Sequence, residues 1–252
     1  MMHAFTLLLM SILPVVAILY FVYQKDKNRE SLKLLFLFFI CGIASCSLVL
    51  EISTILKLLF PSLPLTPSSN SLVITFSYAF LGVALIEELC KWIMVYFIGY
   101  HHKEFEELYD ITVYAVFVSL GFACYENVIC VMQIGEFRTA ILRAISAVPA
   151  HACDAVFMGY YLSIAKKFYC ENNKKLEKKN IYLSILVPTI LHGIYDICLF
   201  LNYYIFTVLF VLFITYLYTL SLAKLKEMSE ENIKMPIPTE EDVYKEKNNS
   251  KE

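Results

Sequence analysis

Long apolar stretches alternate with short polar connections over most of the 252-residue chain. A helix that crosses a bilayer needs about 20 predominantly apolar residues, and seven stretches reach that length. The pattern therefore predicts an all-α fold, a polytopic membrane protein of seven transmembrane helices. We place these helices at residues 4–23, 34–60, 71–100, 108–132, 144–165, 181–200 and 203–222.

The composition agrees with a membrane location, because 59% of the residues are hydrophobic and only 17% are charged. A soluble domain carries about 25% charged residues. The sequence contains no block of basic residues interleaved with aromatic residues, so it does not indicate nucleic-acid binding. We expect residues 1–222 to form one lipid-embedded transmembrane domain, with residues 223–252 as a charged, largely disordered cytoplasmic tail and residues 61–70 as a turn-rich loop.

The distribution of basic residues predicts the orientation, since cytoplasmic loops are enriched in lysine and arginine. The loop after the first helix and the loop at 166–179 are both lysine-rich, whereas the third loop, 101–107, is acidic and contributes little. We therefore predict a multi-pass protein of the cell membrane, with its N-terminus outside and its C-terminus in the cytoplasm.

Ionisable residues lie inside four of the apolar stretches, where each charge costs about 2.5–3.5 kcal/mol on insertion scales. Counting about 1.5 Å per residue along each helix, they fall in one layer between the bilayer centre and its outer half. A shared polar site explains this layer most simply. Its candidate residues are Glu87, Glu88, Lys91, Glu126, Asn127, His151, Asp154, His192 and Asp196.

The first cluster places Lys91 three residues after Glu88 and four after Glu87, on the same helix face. One ammonium cannot fully compensate two carboxylates, so one carboxylate is suited to general acid or base catalysis. The alternative is a structural ion pair within the helix bundle.

The two histidines each have a carboxylate on the same helix face, Asp154 for His151 and Asp196 for His192. Such a carboxylate can fix the imidazole tautomer. The alternative is that each histidine only packs or makes a hydrogen bond. Glu126 follows small residues that permit close helix approach, so it either orients a neighbour or takes a direct part.

Four ordered motifs over about residues 71–200 resemble the PrsW family of intramembrane proteases, which is related to the CAAX endopeptidase and bacteriocin-processing group. The motifs are Glu87-Glu88-x-x-Lys91, Gly121-Phe-Ala-x-x-Glu126-Asn127, His151 and His192-Gly-x-Tyr-Asp196. The resemblance implies an intramembrane endopeptidase that hydrolyses a peptide bond of another membrane protein, such as a single-pass anti-sigma factor.

By this resemblance, Glu87 and Glu88 with His151 activate a water molecule, and His192 with Asp196 polarises the scissile carbonyl or orients the substrate. Lys91, Glu126, Asn127 and Asp154 are assigned orienting roles. The larger group commonly has asparagine where Asp196 stands, and an ionised carboxylate cannot donate a hydrogen bond to an oxyanion. Asp196 is therefore either protonated or acts only through His192.

The residues are compatible with a mechanism that uses a metal ion and with one that does not. Glu88, His151 and His192 could form a His₂Glu zinc site with an open position for water. The H-E-x-x-H spacing is absent, however, and we favour a metal-independent glutamate mechanism with no cofactor.

Two other functions fit some of the same residues. Intramembrane glutamate, histidine and lysine also form proton relays in ion-coupled transporters, although no internal repeat of the transporter type is evident. A non-catalytic scaffold or immunity protein would use the buried polar residues only for structure.

Overall fold

The computed structural model describes residues 2–60, 71–102, 105–201 and 203–231. These residues form helices and their connections, without a β-strand. Seven helical segments are long and apolar enough to cross a membrane, which confirms the predicted fold class. The predicted loop at 61–70 and the end of the predicted tail, 232–252, lie outside the described residues.

Five of the seven spans are single α-helices, and the other two are composite. The elements are α1 (Met2–Lys25), α2 (Leu32–Leu59), α3 (Leu72–Ser77), π1 (Tyr78–Ala84), α4 (Leu85–Met94), π2 (Val95–Gly99), α5 (Asp110–Ile134), α6 (Phe137–Ile145), α7 (Ala147–Cys170), α8 (Lys174–Phe200) and α9 (Tyr204–Glu231). The third span consists of α3, π1, α4 and π2, and the fifth consists of α6 and α7.

Helices α2 and α5 pack with their backbones in direct contact. A Cβ atom added at Gly42 would lie 1.9 Å from the carbonyl oxygen of Val118, and one at Gly121 would lie 2.1 Å from that of Phe39. Only glycine fits at either position, as in other membrane interfaces built on small residues. This contact fixes the part of α5 that leads to Glu126.

The third span contains two π-helical segments. The wider turns of π1 and π2 enclose the ten residues of α4, which carries the paired glutamates. Isolated π segments are frequent at functional sites. Helix α8 lies against π1, because a Cβ atom at Gly193 would lie 2.3 Å from Phe80. His192 is thereby held beside the third span.

The fifth span is longer than the predicted 144–165 and is broken near its start. Ser146 has φ −121° and ψ −64°, which is not helical, and separates α6 from α7. Tyr218 of α9 donates to the carbonyl oxygens of Ile145 and Ser146 at this break. The short helix α6 can therefore direct Arg143 towards α5.

The last helix also differs from the prediction, because α9 continues to Glu231, nine residues beyond the predicted end of the membrane domain. Ser229 donates a hydrogen bond to the carbonyl oxygen of Lys25, which ties this extension to the end of α1. The start of the predicted tail is thus helical.

Candidate active site

The four polar clusters meet at one place in the bundle, between α4, α5, α7 and α8. Glu88 and Lys91 are completely buried, and His151, Asp154 and His192 are buried with them. The separate stretches in the sequence therefore contribute to a single site. This convergence is the arrangement expected when ionisable groups are kept inside a membrane domain.

Glu88 and Lys91 form the centre of this site. The Lys91 ammonium donates to Glu88 Oε1 at 2.7 Å and to His151 Nδ1 at 3.1 Å, and it lies 4.2 Å from the centre of the Phe122 ring. His192 Nδ1 contacts the same oxygen of Glu88 at 2.8 Å. One carboxylate oxygen therefore accepts two hydrogen bonds.

The contact with Lys91 also fixes the tautomer of His151. An ammonium can only donate, so Nδ1 of His151 accepts and the ring proton resides on Nε2. Nε2 then donates to Glu126 Oε2, 3.1 Å away. A carboxylate bound to one ring nitrogen, with the other nitrogen turned inward, is the usual arrangement for an oriented histidine.

The two adjacent glutamates have different surroundings. The Glu88 side chain is fully buried and engaged by Lys91 and His192, whereas the Glu87 side chain is 12% exposed and lines a cavity. Glu87 Oε2 lies 3.7 Å from Lys91 Nζ and 3.9 Å from His192 Nε2. It has no hydrogen-bond partner among the described residues.

Arg143 belongs to this site although it is not among the candidate residues that the sequence indicates. Its Nη2 lies 2.8 Å from Glu126 Oε2, and its Nε donates to Asn127 Oδ1 at 2.7 Å. Asn127 in turn donates to the carbonyl oxygen of Ser11 in α1. Asn127 therefore contacts Arg143 and α1 rather than the paired glutamates of α4. No motif signalled this, because the partners lie on different helices.

The two aspartates differ from the predicted pairs. Asp154 makes no hydrogen bond or ion pair with His151; its Oδ2 lies 3.9 Å from His192 Nδ1 instead. Asp196 Oδ2 lies 3.8 Å from His192 Nε2, which is longer than a hydrogen bond. The i+3 and i+4 spacings correctly predict which residues share a helix face. The partner of each histidine, however, depends on the packing of the neighbouring helices. Glu126 orients His151, and Glu88 is the nearest partner of His192.

A cavity of about 440 Å³ reaches this cluster. Its inner end is acidic, and its wall includes residues of α2, π1 and α8. The acidic residues that line it are Glu87, Glu126, Asp154 and Asp196. The volume is sufficient for water and a short length of polypeptide.

Four residues of the site bring atoms suited to metal binding within 4.8 Å of one another: Glu88, His151, Asp154 and His192. Imidazole nitrogens and carboxylate oxygens are donors that zinc accepts. Glu88 Oε2 and Asp154 Oδ1 are buried without a hydrogen-bond partner among the described residues, and a cation would compensate both. The donor set fits a divalent ion. The Lys91 ammonium occupies the Nδ1 lone pair of His151, and Nε2 donates to Glu126, so an ion would bind this imidazole only after Lys91 moves away from it.

Comparisons with known proteins identify the family. The model of the PrsW family of intramembrane metalloproteases matches residues 30–221. The chain belongs to the PrsW family. Protease PrsW of Oceanobacillus iheyensis is 36% identical over 222 residues, which cover 88% of this chain and 95% of that protein. Protease PrsW of Geobacillus kaustophilus is 36% identical over 76% of this chain and 79% of its own length.

A more distant relative, Protease PrsW of Clostridioides difficile, is 28% identical over 91% of this chain and 94% of its own length. No solved structure gave a significant match. Membership of the PrsW family confirms the resemblance drawn from the motifs. The protein is a multi-pass intramembrane endopeptidase that acts on membrane-protein substrates, and neither a transporter nor a scaffold is favoured.

Proposed function

We propose that Glu87 is the general base of this protease and that Glu88 holds the site together. The observation that carries this assignment is the contrast between the two carboxylates. Glu87 lines the cavity, and its Oε2 has no hydrogen-bond partner among the described residues. Glu88 also has an unpartnered oxygen, Oε2, but it does not line the cavity, and its Oε1 accepts from both Lys91 and His192. A base must have a lone pair directed to the water that it deprotonates.

In the proposed reaction, Glu87 takes a proton from a water molecule in the cavity as the water oxygen attacks the carbonyl carbon. The C–N bond then breaks, and Glu87 returns the proton to the departing amine nitrogen. His192, which lies between Glu87 and Asp196, orients the scissile carbonyl. His151, with Glu126 and Arg143 behind it, fixes the Lys91 ammonium and thereby limits the negative charge of the cluster.

We also propose that Glu88, His151, Asp154 and His192 hold a divalent metal ion, with zinc as the candidate. The sequence alone favours a metal-independent mechanism, but the folded chain adds Asp154 as a fourth donor and the family is described as metalloproteases. A bound zinc ion supplies Lewis acidity, which makes water a stronger nucleophile at neutral pH.

The lysine-rich loops support an orientation with the N-terminus outside and the C-terminus in the cytoplasm. With that orientation, the site lies between the bilayer centre and its outer half, and we propose that the substrate is cut there. A single-pass regulator such as an anti-sigma factor is the proposed kind of substrate.

The test is a comparison of new protein termini in membranes from cells that express the wild type, Glu87→Gln or Glu88→Gln at equal levels. Termini that appear only with the wild type would identify the substrate and place the cut relative to the bilayer. Termini that persist in both variants would contradict the proposed roles. A cut outside the depth of the site would contradict the proposed location.

A further inference from the structure

The cavity has a second charged feature, at its mouth, which the proposed chemistry does not use. Lys57, in the last turn of α2, lines the cavity together with Ser53 and Leu56. Among the described residues, no carboxylate lies within 4 Å of its ammonium. The cavity therefore has a cation, Lys57, at its mouth and four carboxyl groups at its inner end.

The mouth opens between helices that diverge. Helix α2 packs along α4 and α5, whereas π1 packs against α8, and the described residues of α2 and π1 make at most isolated contacts with each other. Leu50 of α2 and Leu199 of α8 both line the cavity and are 50% and 51% exposed. The gap is therefore lined by apolar side chains that can receive a membrane segment from the lipid.

We propose that Lys57 binds an acidic side chain of the substrate and so fixes which peptide bond reaches Glu87. This inference rests on the proposed function, because it takes Glu87 as the point of hydrolysis. Arg143 pairs with Glu126, but the other three carboxyl groups at the inner end would repel an acidic residue, and Lys57 attracts one at the mouth. An acidic residue near the end of the substrate's membrane segment would be held at only one depth.

The geometry gives the expected distance along the substrate. Cys46, which lines the cavity and packs with Cys90 and Phe122 beside Lys91, marks the level of the catalytic cluster on α2. Lys57 lies eleven residues farther on, or about 16 Å along the helix. An extended chain covers about 3.3 Å per residue and the lysine side chain spans part of the gap. The acidic residue is therefore expected about three to five residues from the cut, toward the membrane face where α2 ends.

The test uses the membrane protein that the comparison of termini identifies as the substrate. We expect Asp or Glu at about three to five residues from its cut, on the side of the membrane where α2 ends. Lys57→Glu should lower kcat/KM for this substrate by about tenfold, mainly through KM, and Lys57→Arg should preserve it. Replacing the acidic residue of the substrate by lysine should restore cleavage by Lys57→Glu.

Thr54→Glu is the matched control, because Thr54 is exposed one turn earlier on α2 and does not line the cavity. It should leave kcat/KM unchanged. A substrate without an acidic residue in that interval, or equal cleavage by the wild type and Lys57→Glu, would overturn the role of Lys57 while the protease assignment stands. Absence of any wild-type cleavage would overturn the proposed function and this inference together.

Discussion

The Lys91 ammonium lies 2.7 Å from Glu88 Oε1, and both side chains are completely shielded from the surface. A buried ion pair is costly to form, but it is more costly to break, because the remaining charge has no partner. The pair therefore stabilises the position of α4 at the centre of the bundle. It also explains why Glu88 is not free to act as the base.

Loss of Lys91 should destabilise the protein strongly. We expect Lys91→Met to lower the free energy of unfolding by about 3–5 kcal/mol, because Glu88 would remain as an uncompensated buried carboxylate. Thermal or denaturant unfolding in detergent micelles measures this change. Lys91→Met combined with Glu88→Gln should recover part of the loss.

The matched control is Lys224→Met, which removes the ion pair between Lys224 and Glu227. The Lys224 side chain is 21% exposed and that of Glu227 is 45% exposed. This variant should cost at most about 1 kcal/mol, as is usual for surface ion pairs. Equal stability of Lys91→Met and Lys224→Met would show that the buried pair does not have the proposed structural role.

Arg143 should act on catalysis through Glu126 and His151 rather than on substrate binding. We expect Arg143→Gln to lower kcat about 10- to 100-fold with little change in KM, because Glu126, the carboxylate that orients His151, would lose its own ion pair. Arg138→Gln, on the same short helix but exposed, should leave both constants unchanged. A rise in KM with kcat intact would instead indicate that Arg143 binds substrate directly.

The contact between α2 and α5 predicts a purely structural variant. Gly121→Ala places a methyl group 2.1 Å from the carbonyl oxygen of Phe39, so the helices must separate, at a cost of about 1–3 kcal/mol. Gly135→Asn is the control: there, φ is +74°, which asparagine tolerates, and no atom lies within 4 Å of the added Cβ. Unchanged thermal stability of Gly121→Ala would contradict the close helix contact.

Metal content tests the proposed ligand set independently of activity. The purified protein in lipid nanodiscs should bind about one zinc ion per chain, and Asp154→Asn or His192→Ala should weaken binding at least tenfold. Stringent chelation should abolish hydrolysis, and zinc should restore it. Full hydrolysis after complete removal of metal would favour the metal-independent mechanism that the sequence suggested.

The sequence predicted the seven helices and the meeting of their polar residues for one physical reason. Charges inside hydrocarbon must find each other or water, so Glu88, His151 and His192 could be assigned to one site without coordinates. The same reasoning could not predict which of these residues form hydrogen bonds or ion pairs with each other. Spacing along α7 shows that Asp154 shares a face with His151, but only the packing of α8 against α7 brings His192 to it.

Arg143 was missed for a related reason. It lies directly before the predicted helix at 144–165, where basic residues usually mark a loop. Nothing local indicates the break at Ser146 that directs α6 towards α5. The π segments around α4 likewise have no signal in the local sequence; π1 packs against α8 and π2 against α5.

The most direct test of the account is a comparison of Glu87→Gln with Glu88→Gln in purified form, measuring hydrolysis and zinc content together. We expect neither variant to hydrolyse the substrate, because one lacks the base and the other an intact site. Glu87→Gln should keep wild-type zinc content and stability, whereas Glu88→Gln should lose both. Hydrolysis by Glu87→Gln at the wild-type rate would contradict the assignment of Glu87 as the base.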